Sequence, residues 1–262
     1  MNETPNSAPS IAPPSNAAHR AQPVSFVRRG SRLQGRRQKA WAEHADAYVI
    51  DVPRQISDTS VHPDFRFDAQ TVFGRTAPLI IEIGSGLGEA VVQAATDNPD
   101  KDFLAVEVYL PGLAQTLLKV AARSLPNVRL VQANAPEVLD IMVPAGSVSE
   151  VWVFFPDPWH KSKHEKRRLV TPAFAQQVAA ALEPGGIWRL ATDWEHYARQ
   201  MRQIGDASPL FTNMAASTAD VGPSAVDGGW APRFEGRVLT SFESKAHRAG
   251  RAIHDLAYRR NP

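Results

Sequence analysis

The chain has 262 residues, with 29 Lys plus Arg against 27 Asp plus Glu and 43% hydrophobic residues, enough apolar material for one large domain or two small ones. It contains no cysteine, which excludes a disulfide framework, a Cys-ligated zinc or iron–sulfur centre, and a thiolate nucleophile. No window approaches 18 apolar residues and the N-terminus has no apolar stretch, so membrane-spanning and secretory readings fail and a cytoplasmic location is expected.

The net charge of +2 is unevenly placed. Residues 1–40 carry seven basic side chains (Arg20, Arg28, Arg29, Arg32, Arg36, Arg37, Lys39) against Glu3, so the rest of the chain is mildly acidic. Five prolines within residues 1–25 and few large apolar residues give little to bury, and 1–40 is expected as a disordered basic tail. Its basic run is either a nucleic-acid-binding arm or a solubilising tail. Residues 41–77 are expected to pack as an N-terminal extension on a catalytic domain spanning 78–262.

From residue 78, short apolar runs alternate with helical patterns. Leu79 to Ile83, Phe103 to Val106, Val128 to Val131, Val148 to Phe155 and Ile187 to Ala191 read as buried strands. Glu89 to Thr96, Leu113 to Ser124, Pro136 to Ile141, Phe174 to Leu182 and Trp194 to Ile204 read as helices, the fourth stopped by Glu183-Pro184-Gly185-Gly186. A loop is expected over 215–232 and a last strand near Arg237–Thr240. This alternation implies an α/β fold: a mostly parallel sheet with helices on both faces.

The turn Glu82-Ile83-Gly84-Ser85-Gly86-Leu87-Gly88 leaves a strand and enters a helix, where glycine allows positive φ and close approach to a ligand. A dinucleotide fingerprint wants a third glycine at position 89; Glu89 stands there, a poor neighbour for a pyrophosphate. A phosphate-free cofactor with a cationic centre, S-adenosylmethionine (SAM), suits the pattern better, with Glu82 placed to attract its ammonium. Glu107, 23 residues after Gly84, ends the second strand where an acid grips ribose hydroxyls. Asn134 follows the third strand, where an adenine edge would lie. Three strand ends with ligand-type residues at one sheet edge favour a SAM-dependent methyltransferase over a dehydrogenase.

After the fourth strand comes Pro156-Asp157-Pro158-Trp159, with two prolines stiffening a carboxylate at the place a reactive group would arrive. Asp157 is a candidate to accept N–H bonds from a base edge, and Trp159 to stack on it. Residues 160–168 hold five cations, two histidines and one acid; a charge run is usually a solvated face, but its place directly after Asp157 points to phosphate contact. After the fifth strand, Thr192 or Asp193 can cap the following helix, and Asp193, at the same sheet edge as Asp157, is also a candidate to reach a substrate. Thr240-Ser241-Phe242-Glu243, followed by Lys245, Arg248, Arg251, Arg259 and Arg260, reads as a strand end with a basic tail.

These residues resemble the bacterial tRNA (guanine-N7-)-methyltransferase family over roughly residues 70–260. The likeness is carried by EIGSGLGEA (82–90), VEVYLPG (106–112), FFPDPWHKSKHEKRRL (154–169), ATDWEHYA (191–198) and TSFESKAHRAGRAIHDL (240–256). It implies a Rossmann-like seven-stranded SAM-dependent methyltransferase fold and methylation of guanosine 46 in the tRNA variable loop. It also implies that Glu82, Gly84, Gly86, Gly88, Glu107, Asn134 and Asp157 hold SAM, with Asp157 catalytic. Lys161, Asp193, Thr240, Ser241, Phe242 and Glu243 would bind substrate, and Lys163, His164, Glu165, Lys166, Arg167 and Arg168 would contact RNA. Asn134 replaces an Asp frequent in the family, and Ser241 a basic or bulkier residue. No metal is expected, and monomer and homodimer are both open. An exocyclic-amino RNA or DNA methyltransferase and a non-catalytic RNA-binding subunit of the same fold are the rival readings; C5-pyrimidine methylation is excluded by the missing thiolate.

Overall fold

Burial along β1 (Leu79–Ile83) is complete: all five side chains are inside, including Glu82. Leu79, Ile81 and Ile83 point into one apolar layer and Ile80 into the other, the two-residue period of a strand covered on both faces. Each fully buried Leu or Ile contributes about 1.5–3 kcal/mol, so such a strand anchors the domain. The computed structural model describes residues 32–216 and 228–262. Around β1 lie β2 (Asp102–Glu107), β3 (Val128–Gln132), β4 (Val148–Phe154), β5 (Leu182–Thr192), β6 (Phe211–Asn213) and β7 (His254–Arg260), in the order β3-β2-β1-β4-β5-β7-β6. β7 runs antiparallel to both neighbours; the other pairings are parallel.

Three helices cover one face: α1 (Gly35–Tyr48), α3 (Glu89–Asp97) and α4 (Leu110–Ala122). On the other lie α5 (Ala135–Glu137), which runs into a π turn, then α6 (Pro172–Ala181) and α7 (Glu195–Ala207). Leu113, Leu117 and Val120 of α4, and Phe174, Val178 and Ala181 of α6, repeat at i, i+4, i+7 and are buried. The short α2 (Ala69–Phe73) is N-capped by Asp68 and closed by Gly74 in the left-handed region. No described helix is long and apolar enough to cross a membrane.

The structure corrects the sequence expectations in four places. α1 begins inside the expected tail: its Ala40 is buried, and Trp41, Ala45 and Tyr48 pack against the α3–α4 core layer. Arg20, Arg28 and Arg29 lie outside the described residues, as does most of the expected 215–232 loop. Arg237–Thr240 is not a strand; Thr240 instead caps α8 (Ser241–Arg248), its side chain accepting the Glu243 N–H. β6 and β7 follow where no strand is expected, and the Glu183–Gly186 turn is an excursion within β5, whose pairing with β4 slips between Val148 and Glu150.

The chain order reverses between β1 and β4, and the carboxyl ends of the strands flanking this switch point are where open α/β sheets bind ligands.

Candidate active site

Three glycines turn β1 into α3: Gly84, Gly86 and Gly88, with φ of 72°, 57° and 71°. A Cβ on Gly88 would lie 2.4 Å from the Thr116 side chain, and one on Gly112 would lie 2.7 Å from the Gly86 carbonyl oxygen. α4 therefore packs directly on the turn's backbone. Gly88→Ala combines a left-handed alanine with this clash, and the expected loss is about 3 kcal/mol of stability, read from the denaturant midpoint.

Glu107 ends β2 and stitches it to the turn. Its Oε2 accepts the Gly86 N–H at 2.8 Å, and its Oε1 accepts those of Val108 and Tyr109, each at 2.8 Å. A carboxylate has about four acceptor sites, so one remains for a ligand hydroxyl. Burial raises the Glu107 pKa while the backbone donors pull it down. Glu82 is buried deeper, and its Oε2 has no hydrogen-bond partner among the described residues. Burial pushes its carboxyl up to about 8, with Glu107 and Glu89 adding to the shift and the Val91 backbone opposing it. Asn134 is buried behind β3, its N–H bound to the Thr59 carbonyl at 2.7 Å.

On the far side of the switch point, β4 delivers Asp157. The loop is bounded by two bulky residues in the left-handed region, Phe155 (φ 51°) and Trp159 (φ 45°). Such conformations cost about 1–3 kcal/mol each and persist only where the surroundings impose them. Phe155 donates its N–H to Ala191 of β5 at 2.7 Å, and the Arg168 Nε donates to the Pro158 carbonyl at 2.8 Å. The Arg167 guanidinium sits 5.1 Å from the Trp159 ring centroid, and the His160 ring lies 4.2 Å from that of Trp194. The Asp157 tip is open, yet desolvation by the cleft raises its pKa, with His160 pulling the other way.

One cavity of about 290 Å³ joins these parts, lined by Glu82, Gly84, Gly86, Glu107, Asn134 and Asp157 among others. Gly88 shapes the turn without forming the wall. Four acids (Glu82, Glu89, Glu107, Asp157) face Arg167 as the one cation among the described lining residues. A pyrophosphate would meet this negative field unfavourably. SAM, with its ammonium, sulfonium and ribose diol, meets an orphaned buried carboxylate and a spare acceptor site, and the donor set fits it. No group of three or more His, Asp or Glu suited to a metal occurs among the described residues.

A family model described as "Putative methyltransferase" matches residues 76–256. A tRNA (guanine-N(7)-)-methyltransferase of Paenarthrobacter aurescens (strain TC1) is 55% identical across 99% of this chain and all of that protein. Its counterpart in Arthrobacter sp. (strain FB24) is 56% identical across 98% and 93%, and that of Paracidovorax citrulli (strain AAC00-1) is 40% identical across 98% and 95%. The chain belongs to the tRNA (guanine-N7-)-methyltransferase family.

In this methyltransferase the other expected site residues separate into three groups. Thr240 and Phe242 line the cavity, Phe242 on an exposed rim, and the Ser241 N–H donates to Glu89 Oε2 at 2.7 Å, tying α8 to the start of α3. Glu89 is thus a site residue the sequence signalled only as an acid at a helix start. Lys163 and Lys166 are exposed on a 3₁₀ turn (Ser162–Arg167) and Lys161 is exposed just before it, with His164, Glu165 and Arg167 half-buried. Asp193 pairs with Arg251 at 2.8 Å and stands outside the cavity wall.

Two expected residues are in the interior. Arg168 is not on the basic surface: it is 1% exposed, bonded to Pro158, to Gln200 at 2.6 Å and to His196, and stacked on Tyr197. Glu243 is fully buried, its carboxylate bonded to Arg233 and Arg237, so its surroundings leave it no path to a substrate. Both sit in motifs whose charge density suggests a surface; residue order alone does not show that Arg168 meets His196 and Gln200, or that Glu243 turns inward onto Arg233 and Arg237.

Proposed function

We propose that this chain transfers a methyl group from SAM to N7 of guanosine 46 in tRNA, in the cytoplasm. The observation that carries the reading is the meeting of Glu82, Glu107 and the braced Asp157 on one cavity across the switch point, in a chain of this family. When bound, SAM supplies an electrophilic methyl group. The protein's contribution is placement. Glu82 faces the ammonium, Glu107 a ribose hydroxyl, and Asn134 the adenine side. Guanine N7 carries an in-plane lone pair, so no proton must leave before attack, and an in-line displacement asks mainly for orientation and exclusion of water. Asp157 accepts an N–H from the guanine edge and fixes the ring, while Trp159 and Phe242 offer aromatic faces near it. Methyl transfer to a tRNA transcript with G46 changed to A tests this reading: transfer is expected to vanish there and persist on the unchanged transcript.

Lys163 and Lys166 supply phosphate contacts beside the cavity. The double variant Lys163→Ala/Lys166→Ala is expected to weaken tRNA binding at all sequences, to lower the slope of log affinity against log salt by about 2, and to leave thermal stability within about 0.5 kcal/mol. Arg168→Ala is expected to do the opposite, losing about 3 kcal/mol or more of stability from a buried, multiply bonded guanidinium. Filter binding across a salt series and thermal melts separate the two.

A further inference from the structure

The Asp157 loop is braced by two buried arginines, one at each end. Arg168 holds its last turn through the Pro158 carbonyl. At its start stands Arg237, 1% exposed, whose guanidinium lies 5.5 Å from the Phe155 ring centroid and 5.2 Å from that of Phe154. Phe155 is the left-handed residue that opens the loop and lines the cavity.

The edge of the same guanidinium donates to two carboxylates. Asp255 of β7 receives Nη1 and Nη2, and Glu243 of α8 receives Nε and Nη2, each at 3.3 Å. Both acceptors lead back to the site. Asp255 is the strand partner of Ala191, whose carbonyl takes the Phe155 N–H. Glu243 donates its N–H to Thr240, a cavity-lining residue three positions away, and Arg233 completes the cluster by pairing with Glu243 at 2.7 Å. Two cations and two anions leave this group neutral. A planar guanidinium can present its face to rings while its edge bridges two carboxylates; an ammonium can do one or the other.

We infer that Arg237 is a positioning residue for methyl transfer: it fixes the start of the Asp157 loop and the Thr240–Phe242 rim against each other. The two walls between which a guanine enters thereby keep one separation. The glycine turn and Glu107, which face the cofactor, lie outside this cluster. Arg237 is therefore required for transfer and dispensable for cofactor binding. The inference deepens the guanine-N7 reading and rests on it for the substrate.

Two full-length variants test it. Arg237→Lys keeps the charge and loses the bridging plane. Arg237→Met/Asp255→Asn removes a cation and an anion together, leaving Glu243 with Arg233. Three quantities are read: SAM affinity by calorimetry, single-turnover transfer at saturating tRNA, and amide hydrogen exchange. Transfer is expected to fall about 30-fold or more in both variants, with SAM Kd within about threefold of wild type. Exchange should quicken about tenfold over 155–161 and 240–245 and stay unchanged over 84–91. Transfer within threefold of wild type, or loss of SAM affinity in parallel with the rate, would overturn the inference. So would failure of both variants to fold, which would reduce Arg237 to a stability element. If only one folds, that one decides. Should wild type transfer no methyl to guanine N7, the functional reading fails by itself, and the exchange pattern still decides whether Arg237 couples the two walls.

Discussion

Replacing Asp157 by Ala is expected to slow single-turnover methyl transfer by about 100- to 1,000-fold while SAM affinity changes less than about threefold. The asymmetry follows from where the residue sits. Glu82, Glu107 and the glycine turn approach the cavity from β1 and β2, whereas Asp157 enters from β4 on a separately braced loop. Asp157→Asn distinguishes orientation from proton abstraction. An amide keeps an acceptor oxygen, so an orienting role leaves Asn about tenfold more active than Ala; a base would leave both equally inactive. The pH dependence has a definite sign. Desolvation raises the Asp157 pKa from 3.8, so activity should fall as pH drops through that raised value and stay level above it.

Glu82→Gln is expected to weaken SAM binding by about 10- to 100-fold at pH 8 and to abolish its pH dependence. In the ligand-free fold, burial holds the Glu82 carboxyl at about 8 against an ordinary 4.5, so the group is mostly protonated at pH 7. An arriving ammonium favours the ionised form, lowers the pKa and expels a proton. SAM affinity should therefore rise with pH up to about 8, with a proton released as SAM binds at pH 7. Calorimetry in buffers of different ionisation enthalpy measures that release, and the Gln variant should show none. The same shift acts on folding in the opposite direction. A pKa raised in the folded state gives a contribution that is complete below about 4.5 and lost as pH climbs through about 8, so ligand-free stability should decline across that window and the Gln variant should decline less. Release of no proton by wild type would remove Glu82 from the ammonium site.

Much of this site was legible in residue order because it lies at strand ends. β1 to β5 are apolar runs bounded by turn residues; Glu82 is the next-to-last residue of β1, Glu107 closes β2, and Asn134 and Asp157 follow β3 and β4. The rest depended on pairing across long sequence distances. β7 reads as a basic tail because Arg259 and Arg260 end it, yet Leu256 and Tyr258 are buried and the Arg260 side chain reaches the Leu182 carbonyl at 2.7 Å. Arg237–Thr240 holds the adjacent apolar pair Val238 and Leu239, which suits a short strand, but a guanidinium between two carboxylates and a helix-capping threonine hold it as a loop. α1 hides in a charged run: Arg36, Arg37 and Lys39 face outward or toward Gln115 while Trp41, Ala45 and Tyr48 pack inward. Arg168 shows the same limit on one residue, since nothing local separates it from Arg167.

The most direct test of the central reading is incubation of the full chain with methyl-labelled SAM and unmodified tRNA, followed by mass spectrometry of the nucleosides and of the ribonuclease fragments that locate the label. The prediction is label in N7-methylguanosine alone, at position 46. Label in any other nucleoside, or in an exocyclic amino group, would contradict it.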